Sequence, residues 1–302
     1  MDIIIFFKKN PYKSACLGFI AGDVLGLPYE FQSPEEIEYK GLIGYGSHNQ
    51  PLGTWSDDTS FLYSFLAAIN EQGMLDTEQY KINLIDWLYN GKYTCHQKLP
   101  FDVGRQTSKA ITNLKLGKTY FNLDAVDFNG NVGLLRIFPF ALYLKWHKRK
   151  PTIQNIEEFV GVTNPHRISI ICCYYYSLLV WHNDTNIGKE NVLKKTIKDF
   201  SLALTDDERL FFEKLIHPEQ IKRNVLSTGY ILDTLYVVVY QFKSSTSLEQ
   251  ALESTIRMGG DTDSNAALVG GLAGYSFNKK VKWVSKIINP KDIFSLIQQC
   301  FK

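Results

Sequence analysis

The chain has 302 residues, of which 45% are hydrophobic and 14% aromatic, a composition that indicates a globular protein and excludes a disordered one. Lysine and arginine number 33 against 31 acidic residues, and this balance argues against bulk electrostatic binding to nucleic acid or an anionic membrane. The five cysteines show no metal-ligand spacing, so they support neither a zinc site nor a disulfide framework and favour a reducing, cytoplasmic location.

Apolar residues at helical spacing dominate the chain and predict an all-α fold of about a dozen helices. In chain order, the predicted helices are 12–24, 60–70, 77–89, 104–116, 134–145, 168–181, 189–204, 206–216, 228–241, 247–258, 264–277 and 290–301. Alternating strand patterns are scarce, and no proline- or serine-rich linker or internal repeat interrupts the pattern. We therefore expect one domain over residues 1–302, with the polar segment at about 183–224 on its periphery.

No segment has the pattern of a membrane span or a signal peptide. The longest apolar run, 168–181, falls short of the roughly 20 residues that cross a bilayer, so we expect a buried helix there. The apolar stretch 3–7 before Lys8 is too short for the core of a signal peptide. The sequence thus predicts a protein that does not bind membranes.

Two acidic clusters, about 200 residues apart, each precede an apolar run with helical spacing. The first contains Asp57 and Asp58, and the second, a Gly-Gly-led loop, contains Asp261 and Asp263. At helix N-termini the free N–H groups and the helix dipole keep carboxylates ionised. If the fold brings the two ends together, the converging oxygens suit a hard cation such as Mg²⁺, Mn²⁺ or Ca²⁺.

Each cluster taken singly also fits an ordinary helix N-cap. Two clusters with doubled carboxylates are harder to explain by capping, because neighbouring acids that are not neutralised repel each other. Adjacent helical residues point about 100° apart, so Asp57 and Asp58 suit two neighbouring ions, or one ion and one substrate group. A two-ion centre that orients substrate and activates water is the simplest arrangement that uses all four carboxylates.

Three other segments carry candidate functional residues. Asp23 interrupts an apolar helix, which favours a hydrogen-bonded structural acid over a catalytic one. Glu30 follows a Gly/Pro turn on a loop that can move over a pocket. The Gly/Asn loop Asp127–Gly133 enters a helix that carries Arg136, and its backbone N–H groups suit a phosphate, although a plain turn fits equally well.

With these segments in this order, the chain resembles the ADP-ribosylglycohydrolase family, which includes the dinitrogenase reductase-activating glycohydrolases and the ADP-ribosyl-acceptor hydrolases. The resemblance covers about residues 14–277, and its most specific part is Ser-Asp-Asp-Thr at 56–59 followed by Gly-Gly-Asp-Thr-Asp-Ser at 259–264. The weaker matching pieces are Gly22-Asp23, Glu30-Phe31, Gly104-x-Gln106-Thr107, Gly130-Asn131, Arg136 with Pro139, Thr163 with His166, Gly229-Tyr230 and Gly271-x-x-Gly274.

The resemblance implies a compact, orthogonal multi-helix fold with a central dinuclear site of two Mg²⁺ ions (Mn²⁺ being the alternative). It implies hydrolysis of the bond between ADP-ribose and an acceptor. The implied metal ligands are Ser56, Asp57, Asp58, Asp261, Asp263 and Ser264. The implied catalytic acids are Glu30, Asp57 and Asp58. The implied ADP-ribose pocket consists of Gly104, Gly130, Asn131, Gly133, His166, Gly229 and Tyr230.

Some positions depart from the family pattern. Ser56 and Ser264 stand where threonine is usual, but each keeps the hydroxyl oxygen that a metal needs. Asn164 replaces the histidine of a Thr-His pair, and we expect His166 to compensate. Val132 replaces a glycine of the Gly-Asn-Gly loop, which affects the phosphate cradle.

The acceptor is not determined by these residues. Arginine, serine, acetyl and nucleic-acid linkages would share the ADP-ribose half of the pocket, so the partner is an ADP-ribosylated protein, a small molecule or a nucleic acid. We expect a monomer. Two other functions stay open: a metal-dependent phosphoester or pyrophosphate hydrolase, and a non-catalytic homologue that binds ADP-ribose.

Overall fold

A computed structural model describes residues 10–118 and 129–302 of the chain. Over these residues the fold consists of fourteen α-helices and three short 3₁₀ turns without a β-strand, which confirms the predicted all-α class. The helices are α1 Pro11–Gly26, α2 Asp57–Leu66, α3 Thr77–Asn90, α4 Arg105–Lys115, α5 Val132–Trp146, α6 Ile153–Val160, α7 Arg167–His182, α8 Lys189–Ala203, α9 Asp206–Phe211, α10 Glu213–Ile216, α11 Ile231–Ser244, α12 Leu248–Ile256, α13 Thr262–Phe277 and α14 Lys291–Cys300. The stretch 3–7 and residues Asp127 and Phe128 lie outside the described residues.

Four helices differ from their predictions. Helix α2 begins at Asp57 and ends at Leu66, whereas 60–70 was predicted. Helix α6 was not predicted, although Thr152 and Asn155 form a reciprocal capping box at its start. The predicted helix 206–216 is divided at Phe212 into α9 and α10. Helix α11 begins at Ile231 and not at 228, because the preceding residues pair in extended conformation with the Gly/Asn loop.

Helices α1 and α13 are packed backbone against backbone. Glycines at four-residue spacing line the contact, so a Cβ atom added to Gly22 would lie 2.0 Å from the carbonyl oxygen of Ala266. A Cβ atom on Gly18 would lie 2.2 Å from the carbonyl oxygen of Gly270. Only residues without a side chain permit this approach, which brings the end of α1 beside the start of α13.

Asp23 joins α1 to the start of α2. Its carboxylate is fully buried and accepts hydrogen bonds from the backbone N–H of Ser56 at 3.0 Å and of Thr59 at 3.0 Å. These N–H groups belong to the free donors at a helix N-terminus, which a carboxylate stabilises. Asp23 therefore has the structural hydrogen-bonding role that the sequence predicted, and it places the first acidic cluster against α1.

The apolar run 168–181 forms most of α7, whose residues from Ser169 to Val180 are buried. In residues 10–118 and 129–302, each helix is too short or too polar to cross a bilayer. Buried side chains of every helix except α9 belong to one hydrophobic cluster. The single-domain organisation and the peripheral position of 183–224 stay predictions.

Candidate metal centre and substrate cavity

The first acidic cluster forms the N-terminus of α2, as its sequence predicted. Ser56 is the N-cap residue, and its Oγ accepts a hydrogen bond from the backbone N–H of Asp58 at 3.2 Å. Asp57 and Asp58 occupy the first turn, where the helix dipole favours negative charge. Asp58 is almost completely buried, whereas Asp57 is partly exposed.

The second cluster enters α13 through a tight glycine loop. Gly259 and Gly260 have φ angles of +70° and +68°, the left-handed conformation that glycine adopts most easily. A Cβ atom on Gly260 would lie 2.0 Å from the carbonyl oxygen of Ser227. Gly260 also exchanges backbone hydrogen bonds with the Glu30 loop, accepting from the N–H of Phe31 at 2.8 Å and donating to the carbonyl of Gln32 at 2.9 Å. These backbone hydrogen bonds therefore hold the loop that carries Glu30 beside the second cluster.

The fold brings the two clusters together. Carboxylate oxygens of Asp23, Asp58 and Asp263 lie within 4.8 Å of one another, and those of Glu30, Asp261 and Asp263 do so as well. Asp263 belongs to both groups and thus links the start of α13 to α1, α2 and the Glu30 loop. Asp57 is in neither group.

These carboxylates are crowded and desolvated. Burial raises the pKa values of Asp58 and Asp263 well above the ordinary range, and neighbouring carboxylates raise them further. Two buried oxygens, Asp58 Oδ2 and Asp261 Oδ1, have no hydrogen-bond partner. Buried, unpartnered carboxylate oxygens are costly unless a cation compensates them. The donor set, all oxygen, fits a hard divalent cation such as Mg²⁺ or Mn²⁺.

Glu30 is held by a histidine that sequence reasoning did not single out. The Nε2 atom of His48 contacts Oε2 of Glu30 and lies 3.6 Å from Oδ2 of Asp102. Burial raises the pKa of Glu30 to about 7, while the hydrogen bond with His48 opposes that rise. The sequence offered no sign of this contact, because His48 stands alone in an irregular loop.

A cavity of about 510 Å³ opens beside the second acidic cluster. Four of the predicted substrate-binding residues, Gly104, Gly130, Asn131 and Gly229, line it. Asn131 donates from Nδ2 to Oδ2 of Asp261 at 2.7 Å, so the cavity reaches the acidic cluster. The sequence analysis had named Val132 and Asn164 as departures from the family pattern, and both line the cavity. It assigned no binding role to the other lining residues, although three of them stand in its matching segments: Arg105, Gln106, Thr107, Lys109 and Thr163.

Three predicted substrate-binding residues are not among those that line this cavity. Gly133 is buried in α5, where a Cβ atom would lie 3.2 Å from Sγ of Cys173. His166 is the N-cap residue of α7, and its Nδ1 accepts from the N–H of Ile168 at 3.2 Å. Tyr230 pairs with Gly130 across the bridge that precedes α11 and is 37% exposed. Their binding roles stay predictions.

The side chain of Arg136 contacts α3 and the segment between α6 and α7. It is buried, donates from Nε to the hydroxyl of Tyr80 at 3.2 Å, and contacts Thr163 Oγ1 through Nη1. Thr163 in turn donates to Oδ1 of Asn164 at 2.7 Å, and Asn164 donates to the carbonyl of Gly130 at 3.2 Å. Arg136 thus supports the cavity wall through these neighbours, and Asn164, which replaces the histidine of the family pattern, holds the loop backbone.

The model of the family described as ADP-ribosylglycohydrolase matches residues 8–299. The chain belongs to this family. Membership confirms the family that the sequence motifs resembled and the enzyme class that this resemblance implied.

Individual relatives of this chain have low sequence identity to it, but the matches extend over most of its length. It is 22% identical to the ADP-ribosylarginine hydrolase Tri1 of Serratia proteamaculans, over 96% of this chain and 78% of the relative. It is 27% identical to the ADP-ribosyl-dinitrogen reductase glycohydrolase of Rhodospirillum rubrum, over 90% and 88%. A solved structure described as an ADP-ribosylglycohydrolase-related protein complex has a TM-score of 0.75 and 19% identity, over 97% of each chain, which supports the fold.

Proposed function

We propose that this enzyme removes ADP-ribose from a modified acceptor by hydrolysing an N- or O-glycosidic bond at the anomeric carbon of the ribose distal to adenine. We further propose that the reaction depends on two Mg²⁺ ions, for which Mn²⁺ can substitute. The observation that carries the proposal is the convergence of both acidic clusters, with two unpartnered carboxylate oxygens, beside the 510 Å³ cavity. Similarity to hydrolases and glycohydrolases of ADP-ribosylated substrates supports it.

The two acidic clusters would hold the ions through Ser56, Asp57, Asp58, Asp261, Asp263 and Ser264. At these residues Mg²⁺ would supply a Lewis acid for the ribose hydroxyls and for activation of a water molecule. The cavity lined by Gly104, Gly130, Asn131 and Gly229 receives ADP-ribose, and the amide of Asn131 ties the cavity wall to Asp261.

The chemical step needs one base among Asp57, Asp58 and Glu30. This carboxylate accepts a proton from water as the water oxygen forms its bond to the anomeric carbon, which has oxocarbenium-like character. The bond from that carbon to the acceptor breaks, and its electron pair leaves with the acceptor atom, which then takes up a proton. ADP-ribose and the unmodified acceptor are the two products.

Replacing Asp57 or Asp263 by asparagine tests the assignment. Asparagine keeps the size of the side chain and removes the charge, so each variant is expected to lose at least about 100-fold in kcat for Mg²⁺-dependent release of ADP-ribose from a modified protein. Asp207→Asn, an exposed acid on α9, is the matched control and should keep full activity. Near-normal activity of Asp57→Asn or Asp263→Asn would refute the assignment.

Product analysis separates this function from its main alternative. A glycohydrolase releases intact ADP-ribose, whereas a phosphoester or pyrophosphate hydrolase would release a fragment cut at a phosphate. Because the named relatives act on ADP-ribosylarginine and on modified dinitrogen reductase, a protein acceptor is favoured. A panel of arginine-, serine-, acetyl- and nucleic-acid-linked substrates, each assayed with and without chelator, identifies the linkage.

A further inference from the structure

A second cavity, of about 370 Å³, lies at the start of α2. Ser56 and Asp57 line it on one side, and Leu99 and Phe101, from the loop between α3 and α4, line it on another. It shares no lining residue with the 510 Å³ cavity. Both cavities use the chain between α3 and the start of α4, since Leu99 and Phe101 line the second cavity and Gly104 and Arg105 line the first.

Large apolar side chains extend this second cavity onto the surface. Leu99 is 68% exposed, and Phe31, which directly follows Glu30, is 69% exposed. Leu99 itself lines the cavity, and the ring of His48 connects Phe31 to the cavity wall, since its centroid lies 5.6 Å from that of Phe31 and 5.7 Å from that of Phe101. We call Phe31, Leu99 and Phe101 the acceptor-side surface.

Phe31 has a strained backbone conformation. Its φ angle is +64°, the left-handed region that a non-glycine residue with a bulky side chain rarely adopts. The hydrogen bond from its N–H to the carbonyl of Gly260 maintains this conformation. A strained residue that keeps an aromatic ring in solvent beside a catalytic acid indicates a functional contact.

We propose that the acceptor-side surface binds the polypeptide that carries the ADP-ribose group, and so makes the enzyme selective for proteins over small acceptors. The inference rests on the proposed function. A substrate has two halves joined at the scissile bond, and the first cavity takes the ADP-ribose half. The acceptor half then extends past Asp57, the acid that lines only the second cavity.

The exposed side chains distinguish a polypeptide from a small acceptor. A single amino acid fits within a cavity of 370 Å³, whereas Phe31 and Leu99 reach beyond it into solvent. Exposed apolar residues around a site are typical of protein–protein contact, and a few such residues contribute most of the binding energy. We therefore expect the chain on either side of the modified residue to pack on Phe31 and Leu99.

The experiment compares two substrates with the same linkage, a modified protein and the corresponding single ADP-ribosylated amino acid. Phe31→Ser and Leu99→Ser are tested separately, because Phe31 adjoins Glu30 and Leu99 does not. For each variant, the ratio of kcat/KM for the protein to kcat/KM for the amino acid should fall about 5- to 30-fold, mainly through KM for the protein. Leu202→Ser on α8, where Leu202 is 72% exposed, is the matched control and should leave this ratio unchanged.

Three results would overturn the inference. The ratio could stay within twofold of wild type for both variants, both substrates could be affected equally, or Leu202→Ser could lower the ratio as much. All three leave the proposed function intact, since wild-type enzyme still releases ADP-ribose. If wild-type enzyme releases ADP-ribose from no substrate of the panel, the proposed function itself fails.

Discussion

Asp57 and Asp58 are adjacent in sequence but have different surroundings. Asp58 lies among Asp23 and Asp263, with one oxygen buried and unpartnered, whereas Asp57 lines the second cavity. The difference follows from helix geometry, which turns neighbouring side chains about 100° apart. Because of this difference, one short segment contributes to both the acidic centre and the second cavity.

His48 is expected to position Glu30. The substitution His48→Phe keeps a ring between Phe31 and Phe101 but removes the nitrogen that contacts Glu30, so kcat should fall by about 10- to 100-fold with little change in KM. His48→Gln keeps an N–H donor near the position of Nε2 and should recover most of that loss. The measurement is steady-state release of ADP-ribose by both variants.

Unfolding temperatures of the two His48 variants serve as the control for folding. If His48→Phe had wild-type kcat, or if His48→Gln were as impaired as His48→Phe while both fold normally, the positioning role would be wrong. In the first case the contact would have no catalytic effect, and in the second case the donor would not be the relevant property of the side chain.

At the scale of secondary-structure elements, the contact between α1 and α13 decides where the acids lie. Gly22 and Gly26 of α1 face Ala266 and Thr262 of α13, and Thr262 donates from Oγ1 to the carbonyl of Gly26 at 2.8 Å. Any side chain at these glycines would separate the helices. The acids at the ends of the two helices would then move apart.

Gly22→Ala is expected to destabilise the protein by about 3 kcal/mol or more, because the added methyl would lie 2.0 Å from backbone and no flexible side chain can yield. Gly188→Ala, where no atom lies within 4 Å of the new Cβ, is the matched control and should cost about 1 kcal/mol or less. Urea denaturation followed by circular dichroism measures both. Equal stabilities of the two variants would contradict this account of the helix contact.

Most helices could be predicted from the sequence because a long apolar periodicity reports directly on burial. The predictions failed where a short local interaction decides the structure, as in the eight-residue helix Ile153–Val160 and the extended start of Ile231–Ser244. Among the pocket residues, Gly130 lines the cavity, whereas Gly133, three residues later, faces the α5–α7 core. Sequence spacing cannot distinguish these two positions, since both belong to one loop-to-helix segment.

At the scale of the whole molecule, the acidic centre is expected to oppose folding unless a cation binds. Mg²⁺ that binds only the folded state should raise the free energy of unfolding by about 2.7 kcal/mol when its concentration is about 100 times Kd. Thermal unfolding with Mg²⁺ and with chelator measures this as a shift in Tm of several degrees. An unchanged Tm would mean that the carboxylates do not bind the ion.

The variant Asp263→Asn tests whether these carboxylates cause the shift in Tm. Since Asp263 belongs to both carboxylate groups, its neutralisation should raise Tm in chelator and reduce the shift caused by Mg²⁺. Asp207→Asn, the exposed control, should leave both quantities as in wild type. A full Mg²⁺ shift in Asp263→Asn would show that the ion binds elsewhere.

The helical class, the two acidic motifs and the family could be recognised from the linear chain, because periodicity and motif order are properties of the sequence alone. Tertiary packing puts Asp58 in the acidic centre and Asp57 at a second cavity, and it brings His48 into contact with Glu30. These relations join residues from different loops and helices. Their relative positions depend on the glycine contact between α1 and α13 and on the pairing of the Glu30 loop with Gly260, which no local pattern records.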